Sequence, residues 1–331
     1  MDLFAPDDLC VPRTLFDGVV SPAAERPLND YITASLEVRP DSIRAASTNN
    51  GVTQNYLVEV GPRVLFVKTS DDAEALARFT LEAERCRKLL AGGAPVPTLA
   101  APARSHAGTV FLAFDFLDGE HFTGKEGQIE PAASAFHRLT TVANDVLAVP
   151  DAAEPASPDH ARLLDALPSL WERGRADART RAVCEPYTAA FEKSLQSVLP
   201  TVADLERDVR RVHTDYHPLN LLFDGSRLVA ILDFEDFRIY PVPLASGFAA
   251  FKLLRRVAVA RKGPLAGAGE TWLRATGGGE IKTLADGARV RTLTLLHLIL
   301  DEVLDQDRTR HVRDLEKHSR ALVEIDLVFS A

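Results

Sequence analysis

Asp215, Asn220 five residues on, and Asp233 thirteen beyond that form the set whose types and spacing could do chemistry. They lie in a β-rich island, residues 209–234, where Leu221-Leu222-Phe223 and Leu228-Val229-Ala230-Ile231-Leu232 flank an Asp224-Gly225-Ser226 turn. That turn folds Asn220 and Asp233 toward one end of a two-stranded ribbon, about 10 Å apart at most at roughly 3.3 Å per residue. One carboxylate and one amide suit Mg²⁺, which keeps waters and completes its octahedron with substrate phosphates. Asp215 is then left to orient and deprotonate an attacking hydroxyl. Phosphoryl transfer asks for little more than neutralised charge and an in-line nucleophile. Asp233 also ends a continuous apolar strand beside Glu235 and Asp236, a placement that is costly without a cation.

The elements that must carry this set read as two halves. Asn55–Val60 and Val64–Lys68 are β-prone and joined by Gly61-Pro62-Arg63, which predicts an antiparallel hairpin. Lys68 ends its strand on the face of Val64 and Phe66, where a cation could reach nucleotide phosphates. The preceding stretch from Ser47 to Asn55, with Gly51 its one glycine, could lay backbone N–H groups over them. A helix is predicted next, opened by an Asp71/Glu74 capping box and stopped by Ala91-Gly92-Gly93-Ala94-Pro95. Leu76, Phe79, Ala83, Cys86 and Leu90 make its apolar stripe, with Glu82 at the border and able to pair with Lys68. An apolar strand from Thr109 to Phe116 runs into Leu117-Asp118-Gly119-Glu120. Beyond it the pattern is helical, around 131–147, 159–175, 183–197, 245–260, 287–305 and 309–328, interrupted by the catalytic island.

The segment from His213-Thr214-Asp215 to Asn220, followed by Ile231-Leu232-Asp233-Phe234, resembles the catalytic and metal-binding motifs of the aminoglycoside phosphotransferase and choline kinase family. These are small-molecule kinases with a protein-kinase-like fold. The likeness extends over roughly residues 47–250: Gly51–Val60 to the nucleotide loop and first hairpin, Val67-Lys68 to the phosphate-lysine strand, Leu81–Glu84 to the lysine-pairing helix, and Leu112–Gly119 to the interlobe hinge. It implies an α+β, two-lobed fold, with a β-containing nucleotide lobe over 1–117 and a mainly helical lobe over 118–331. Residues 1–40 would be an extension that could cover the nucleotide side of the small lobe. It further implies Asp215 as catalytic base, Asn220 and Asp233 as Mg²⁺ ligands, Lys68 as the phosphate contact held by Glu82, and Gly51 over the phosphates. Adenine would bond to backbone groups from Asp115 to Leu117, and His213 would brace the catalytic loop. ATP is the implied donor, with GTP the alternative, and the acceptor a hydroxyl of a sugar, aminoglycoside or amino alcohol. Pro243 stands where the family often has an aspartate before a Leu-Ala pair, so that loop brace is missing or supplied elsewhere.

Composition bounds the rest. The 331 residues are 46% hydrophobic and 26% charged, ordinary globular usage that excludes disordered, collagenous and coiled-coil chains. A net charge of −9 argues against nucleic acid or an anionic membrane as partner and favours a cationic or metal-chelated ligand. No apolar run is long enough for a membrane span, and Met1–Asp8 has neither a basic start nor an apolar core. Three cysteines without pair spacing fit a reducing, cytoplasmic setting. Asp301, Glu302, Asp305 and Asp307 read as a solvated helix face, or else as collectors of a cationic acceptor. The rival to a kinase is a catalytically silent nucleotide-binding module used for partner recognition, which loss of any of Lys68, Asp215, Asn220 or Asp233 would have favoured. The oligomeric state is open.

Overall fold

The computed structural model describes residues 14–46, 53–147 and 157–330. Gly51 and the nucleotide loop around it lie outside the described residues, as does Cys10. Ten helices and ten strands are described: α1 Pro22–Leu36, β1 Ser42–Ala45, β2 Thr53–Val60, β3 Arg63–Ser70, α2 Ala75–Ala91, β4 Leu99–His106, β5 Thr109–Asp115, β6 Glu120–His121, α3 Ile129–Val146, α4 His160–Ala176, α5 Arg181–Val198, α6 Val202–Leu205, β7 Val209–His213, β8 Leu221–Asp224, β9 Arg227–Ile231, β10 Phe237–Pro241, α7 Val242–Arg261, α8 Ala268–Ala275, α9 Ile281–Leu304 and α10 Val312–Phe329.

The N-terminal part is a five-stranded antiparallel sheet in the order β1-β2-β3-β5-β4. β2 and β3 pair from Thr53↔Ser70 to Val60↔Arg63, so the predicted hairpin forms with a two-residue turn, Gly61-Pro62, and Arg63 joins the ladder instead of the connection. There Gly61 takes φ +56°, a left-handed conformation that glycine adopts at little steric cost. Strand alternation sorts side chains to two faces. Val58, Leu65, Val67, Phe111 and Ala113 pack under α1 with Leu28, Tyr31 and Ile32. Leu112 and Phe114 join the other core, against α2 and the helical part, with Phe66 packed on it, and Lys68 sits opposite Leu112 in the ladder. Helix α1 therefore covers the face away from Lys68. Its anchor is Tyr31, which stacks on Phe111 and donates to the Pro102 carbonyl. Upstream of it, Phe16 packs edge-on against Phe66 and Phe116, beside the segment that leads out of the sheet.

Helix α2 departs from the expectation at both ends. It starts at Ala75 without a side-chain cap on Glu74. Asp71 instead accepts from Thr109 Oγ1 at 2.6 Å, and Asp72 accepts from the Glu74 N–H. Leu76 and Leu90 are exposed, whereas Leu89, Glu82 and Arg85 are buried with Phe79, Ala83 and Cys86. Two charged residues hold core positions here because each has a partner: Glu82 has Lys68 of the neighbouring strand β3, and Arg85 has backbone carbonyls across the cleft. In the helical part, α7 and α9 cross with Gly247 against α9 and Gly287 against α7. A Cβ on Gly287 would overlap the Pro243 carbonyl, and one on Gly247 the Leu284 carbonyl. No described helix is long and apolar enough to cross a membrane.

Candidate active site

Each half of the chain delivers charge to one cleft. From β3, Lys68 Nζ donates to Glu82 Oε2 at 2.9 Å and Oε1 at 3.2 Å, to Asp233 Oδ1 at 3.2 Å and to Glu235 Oε1 at 2.7 Å. Lys68 and Glu82 are almost fully buried, with side chains 9% and 3% exposed. Burial alone would lower the Lys68 pKa, but the carboxylates of Glu82, Asp233 and Glu235 outweigh it and keep the ammonium charged. Burial pushes the Glu82 carboxyl up to about 7, opposed by Lys68 and reinforced by the other two acids.

Asp233 follows β9 at φ +63°, a left-handed conformation that aspartate tolerates better than most residues. This turn takes its carboxylate out of the β8–β9 ladder, and Leu232 N–H bonds the Asn220 carbonyl at 2.8 Å, which sets Asn220 beside Asp233. Arg85 on α2 donates to the Phe234 and Glu235 carbonyls, and Arg78 pairs with Glu235 at 2.9 Å. Sequence reasoning missed Arg78, Arg85 and the role of Glu235. Glu235 lies two residues past Asp233 in a strand-exit segment, a signal that local spacing offered but did not decide.

Asp215 follows β7 on a loop braced at several points. Thr214 donates from N–H and from Oγ1 to the Asp236 carbonyl. His213 accepts from the Asp215 N–H at Nδ1 and so donates from Nε2 to the Leu232 carbonyl at 2.9 Å. Tyr216 anchors the loop to α3 through the Ala132 carbonyl. These bonds supply the brace for which Pro243 has no side-chain acceptor. His217 accepts from the Leu219 N–H at Nδ1, which leaves Nε2–H to face Asp215 Oδ2 at 3.2 Å. Asn220 Nδ2 donates to the Asp215 carbonyl at 2.9 Å and, more weakly, to its carboxylate at 3.4 Å. Burial raises the Asp215 carboxyl, yet the His217 hydrogen bond, with the electrostatic pull of His217, Lys252 and His213, holds it well below the usual carboxylate range.

Glu82, Asp233 and Glu235 offer oxygens that all lie within 4.8 Å of one another. Three carboxylates around one ammonium leave surplus negative charge, and Asn220 turns its NH₂ toward Asp215 so that Oδ1 has no donor among the described residues. Hard, anionic oxygen donors of this kind fit Mg²⁺. At the edge of the sheet, the Asp115 N–H is taken by the Thr98 carbonyl and the Phe116 N–H by that of Val64. The Leu117 N–H has no acceptor among the described residues. Of the acids at the end of α9, three pair with basic side chains, Asp305 with Arg173, Asp307 with Arg179, and Glu302 with Arg308 and His311, while Asp301 accepts from Gln306.

Residues 46–242 match the family model described as the phosphotransferase enzyme family, APH, and the chain belongs to that family. It is a small-molecule kinase with a protein-kinase-like arrangement of sheet and helices. No curated protein matches it. Among solved structures it is similar to the spectinomycin phosphotransferase APH(9)-Ia in complex with ADP and spectinomycin. The two share 12% identity over 94% of this chain and 99% of that one, with a TM-score of 0.65. The macrolide 2′-phosphotransferase MphH from Brachybacterium faecium is similar at 14% identity, covering 91% and 98%, with a TM-score of 0.61. An APH(2″) enzyme in complex with GDP and kanamycin follows at 16%, covering 90% and 97%, with a TM-score of 0.57.

Proposed function

We propose that this kinase transfers the γ-phosphoryl group of Mg-ATP to a hydroxyl of a small molecule, with Asp215 as base. The observation that carries the reading is the convergence of Glu82, Asp233 and Glu235 on Lys68, with Asn220, tied through its carbonyl to the Leu232 N–H next to Asp233, bonding Asp215 through its amide. Residues 1–117 form the nucleotide lobe in this reading and 118–331 the acceptor lobe. Adenine lies against the hinge, bonded to the Asp115 carbonyl and the Leu117 N–H, and the phosphates run toward Lys68. Glu82 holds Lys68 in place from its buried position. Gly51 and its loop, outside the described residues, are assigned to the phosphates by sequence alone.

Asn220 Oδ1, Asp233 and Glu235 would hold Mg²⁺, which supplies charge neutralisation for the triphosphate. Phosphates arriving at Lys68 compete with Glu235 for its ammonium, and Glu235 stays held by Arg78. The acceptor hydroxyl donates to Asp215, whose carboxylate is already oriented by His217 and Asn220. As the hydroxyl oxygen bonds to the γ-phosphorus, the bond from that phosphorus to the β–γ bridging oxygen breaks. The hydroxyl proton passes to Asp215, and ADP leaves with the electron pair. A depressed carboxyl pKa suits a residue that must be ionised when the acceptor arrives, with proton transfer completing late. Two free, buried cysteines, Cys86 and Cys184, agree with a reducing, cytoplasmic setting.

Phosphorus NMR of the protein with Mg-ATP and pooled hydroxyl acceptors, beside Asp215→Asn, tests this. A new phosphomonoester signal is expected from the wild type and a loss of about 10²–10⁴-fold in the variant. Equal rates would remove Asp215 as base. Mg-ATP binding without transfer to any acceptor would leave the silent nucleotide-binding module as the better reading. Asp233→Ala is expected to lose Mg-dependent nucleotide affinity, and wild-type affinity would place the metal elsewhere.

A further inference from the structure

A cavity of about 180 Å³ opens beside Asp215, between the catalytic loop, α7 and α10. Its apolar wall includes Phe122, Phe248 and Phe251. Its charged lining is unusual for a chain of net charge −9. Lys252, Arg255, Arg256 and Lys317 face it, against two acids, Asp215 and Glu324. Glu324 is already committed: it takes Arg255 Nε at 2.6 Å and has Arg320 at 3.6 Å. Asp215 is the base of the reaction proposed above. Positive charge therefore remains in the cavity lining, contributed by Arg256 and Lys317. Neither of them has an acidic partner among the described residues.

Helical spacing builds this arrangement. Lys252, Arg255 and Arg256 stand three and four residues apart on α7 and so share a face. Lys317 and His318 come from α10, which packs against it. His318 reports the local field. Burial, then Lys252, Lys317 and Arg291, drive its pKa well below the usual histidine value, so the ring is neutral at pH 7 and offers an N–H. The size of the cavity points the same way as a small ligand would: drug-sized ligands occupy about 300–1,000 Å³.

We propose that the acceptor is a small hydroxy compound carrying an anionic group, carboxylate or phosphate, bound by Arg256 and Lys317 with its hydroxyl at Asp215. This rests on the kinase reading for the role of Asp215, whereas the charge selectivity of the cavity does not depend on it. A cationic aminoglycoside would meet the repulsion of Arg256 and Lys317. Arg256 offers a planar fork to a carboxylate or phosphate and Lys317 a point charge, both worth more in a partly desolvated pocket than in water.

One skeleton with four charge states tests it. Glucose, glucosamine, gluconate and glucose 6-phosphate are titrated into the wild-type protein by calorimetry and offered with Mg-ATP in a transfer assay. Gluconate or glucose 6-phosphate is expected to bind at least tenfold more tightly than glucose, with glucosamine weakest. Which of the two prevails distinguishes a carboxylate from a phosphate acceptor. Arg256→Gln and Lys317→Gln, each checked for unchanged unfolding midpoint, are expected to weaken that binding roughly tenfold, the scale of a lost charge-assisted hydrogen bond. Preference for glucosamine, affinities independent of charge, or no binding of either anion at millimolar concentration would overturn the proposal. Anion binding with no transfer to any acceptor would instead count against the kinase reading while leaving the anion site standing.

Discussion

The ammonium of Lys68 is a scaffold for the cleft and, in the function proposed, also the contact for the phosphates. Its side chain is almost fully buried, and Glu82 beside it is more deeply buried still. Removing one member of a buried pair leaves an uncompensated charge, which costs about 3–5 kcal/mol. Lys68→Met is therefore expected to lower stability by that order in urea unfolding, as well as to abolish transfer. Lys68→Met with Glu82→Leu removes both charges and should recover most of the stability while transfer stays absent. A single variant as stable as wild type would mean that Glu82 is protonated or satisfied elsewhere. The same scale exposes what local sequence conveys. Asp215, Asn220 and Asp233 are readable because they lie within about twenty residues of chain, Asn220 and Asp233 flanking one hairpin and Asp215 five residues before Asn220. Glu235, Arg78 and Arg85 are not, because their pairings span the two halves of the chain.

Helix packing decides where those residues sit. The α2 pattern suggested Leu76 and Leu90 as core and Glu82 as border, whereas the fold buries Glu82 and Arg85 and exposes both leucines. Periodicity cannot foresee that Glu82 will be buried with Lys68, or that Arg85 will find backbone carbonyls across the cleft. The α7–α9 crossing is another such case. Gly247 and Gly287 let backbone meet backbone, and Gly287→Ala must push the helices apart or strain the Pro243 carbonyl. Overpacking of this kind costs about 1–3 kcal/mol, so the thermal midpoint should fall. Because α7 also carries Lys252 and Arg256, acceptor affinity should weaken with it. An alanine variant with wild-type midpoint would show that the crossing has slack.

At the scale of the whole molecule, burial has left several histidines neutral. His160, His213, His121, His297 and His318 all have lowered pKa values, with burial the largest cause in each. His160 falls to about 4, reinforced by Arg291, while its Nδ1 bonds Thr294 at 2.9 Å. Its folded pKa lies below the unfolded value of 6.5. Between those two pH values the unfolded chain holds a proton that the folded chain does not, so stability declines as pH falls through that window. His160 alone contributes roughly 3 kcal/mol to the loss by pH 4. Urea midpoints measured across this range should drop steadily for the wild type and more shallowly for His160→Gln. Parallel curves would assign the loss to other groups.

The amino-acid sequence by itself determined the catalytic hairpin, the Lys68 strand, the sheet-then-helices order and the family, because each depends on neighbours in the chain and on local hydrophobic period. It did not reveal α1 as the cover of the outer sheet face, β10 as the partner of β7, or the cations that line the cavity beside Asp215. Net charge, and one of two readings of the acids near residue 301, pointed to a cationic ligand, yet Asp305, Asp307 and Glu302 are paired with Arg173, Arg179 and Arg308. The cavity instead collects Arg256 from α7 and Lys317 from α10. Only tertiary structure decides such a balance, because the local field is set by which charges are brought close and desolvated together, while the total is merely their sum.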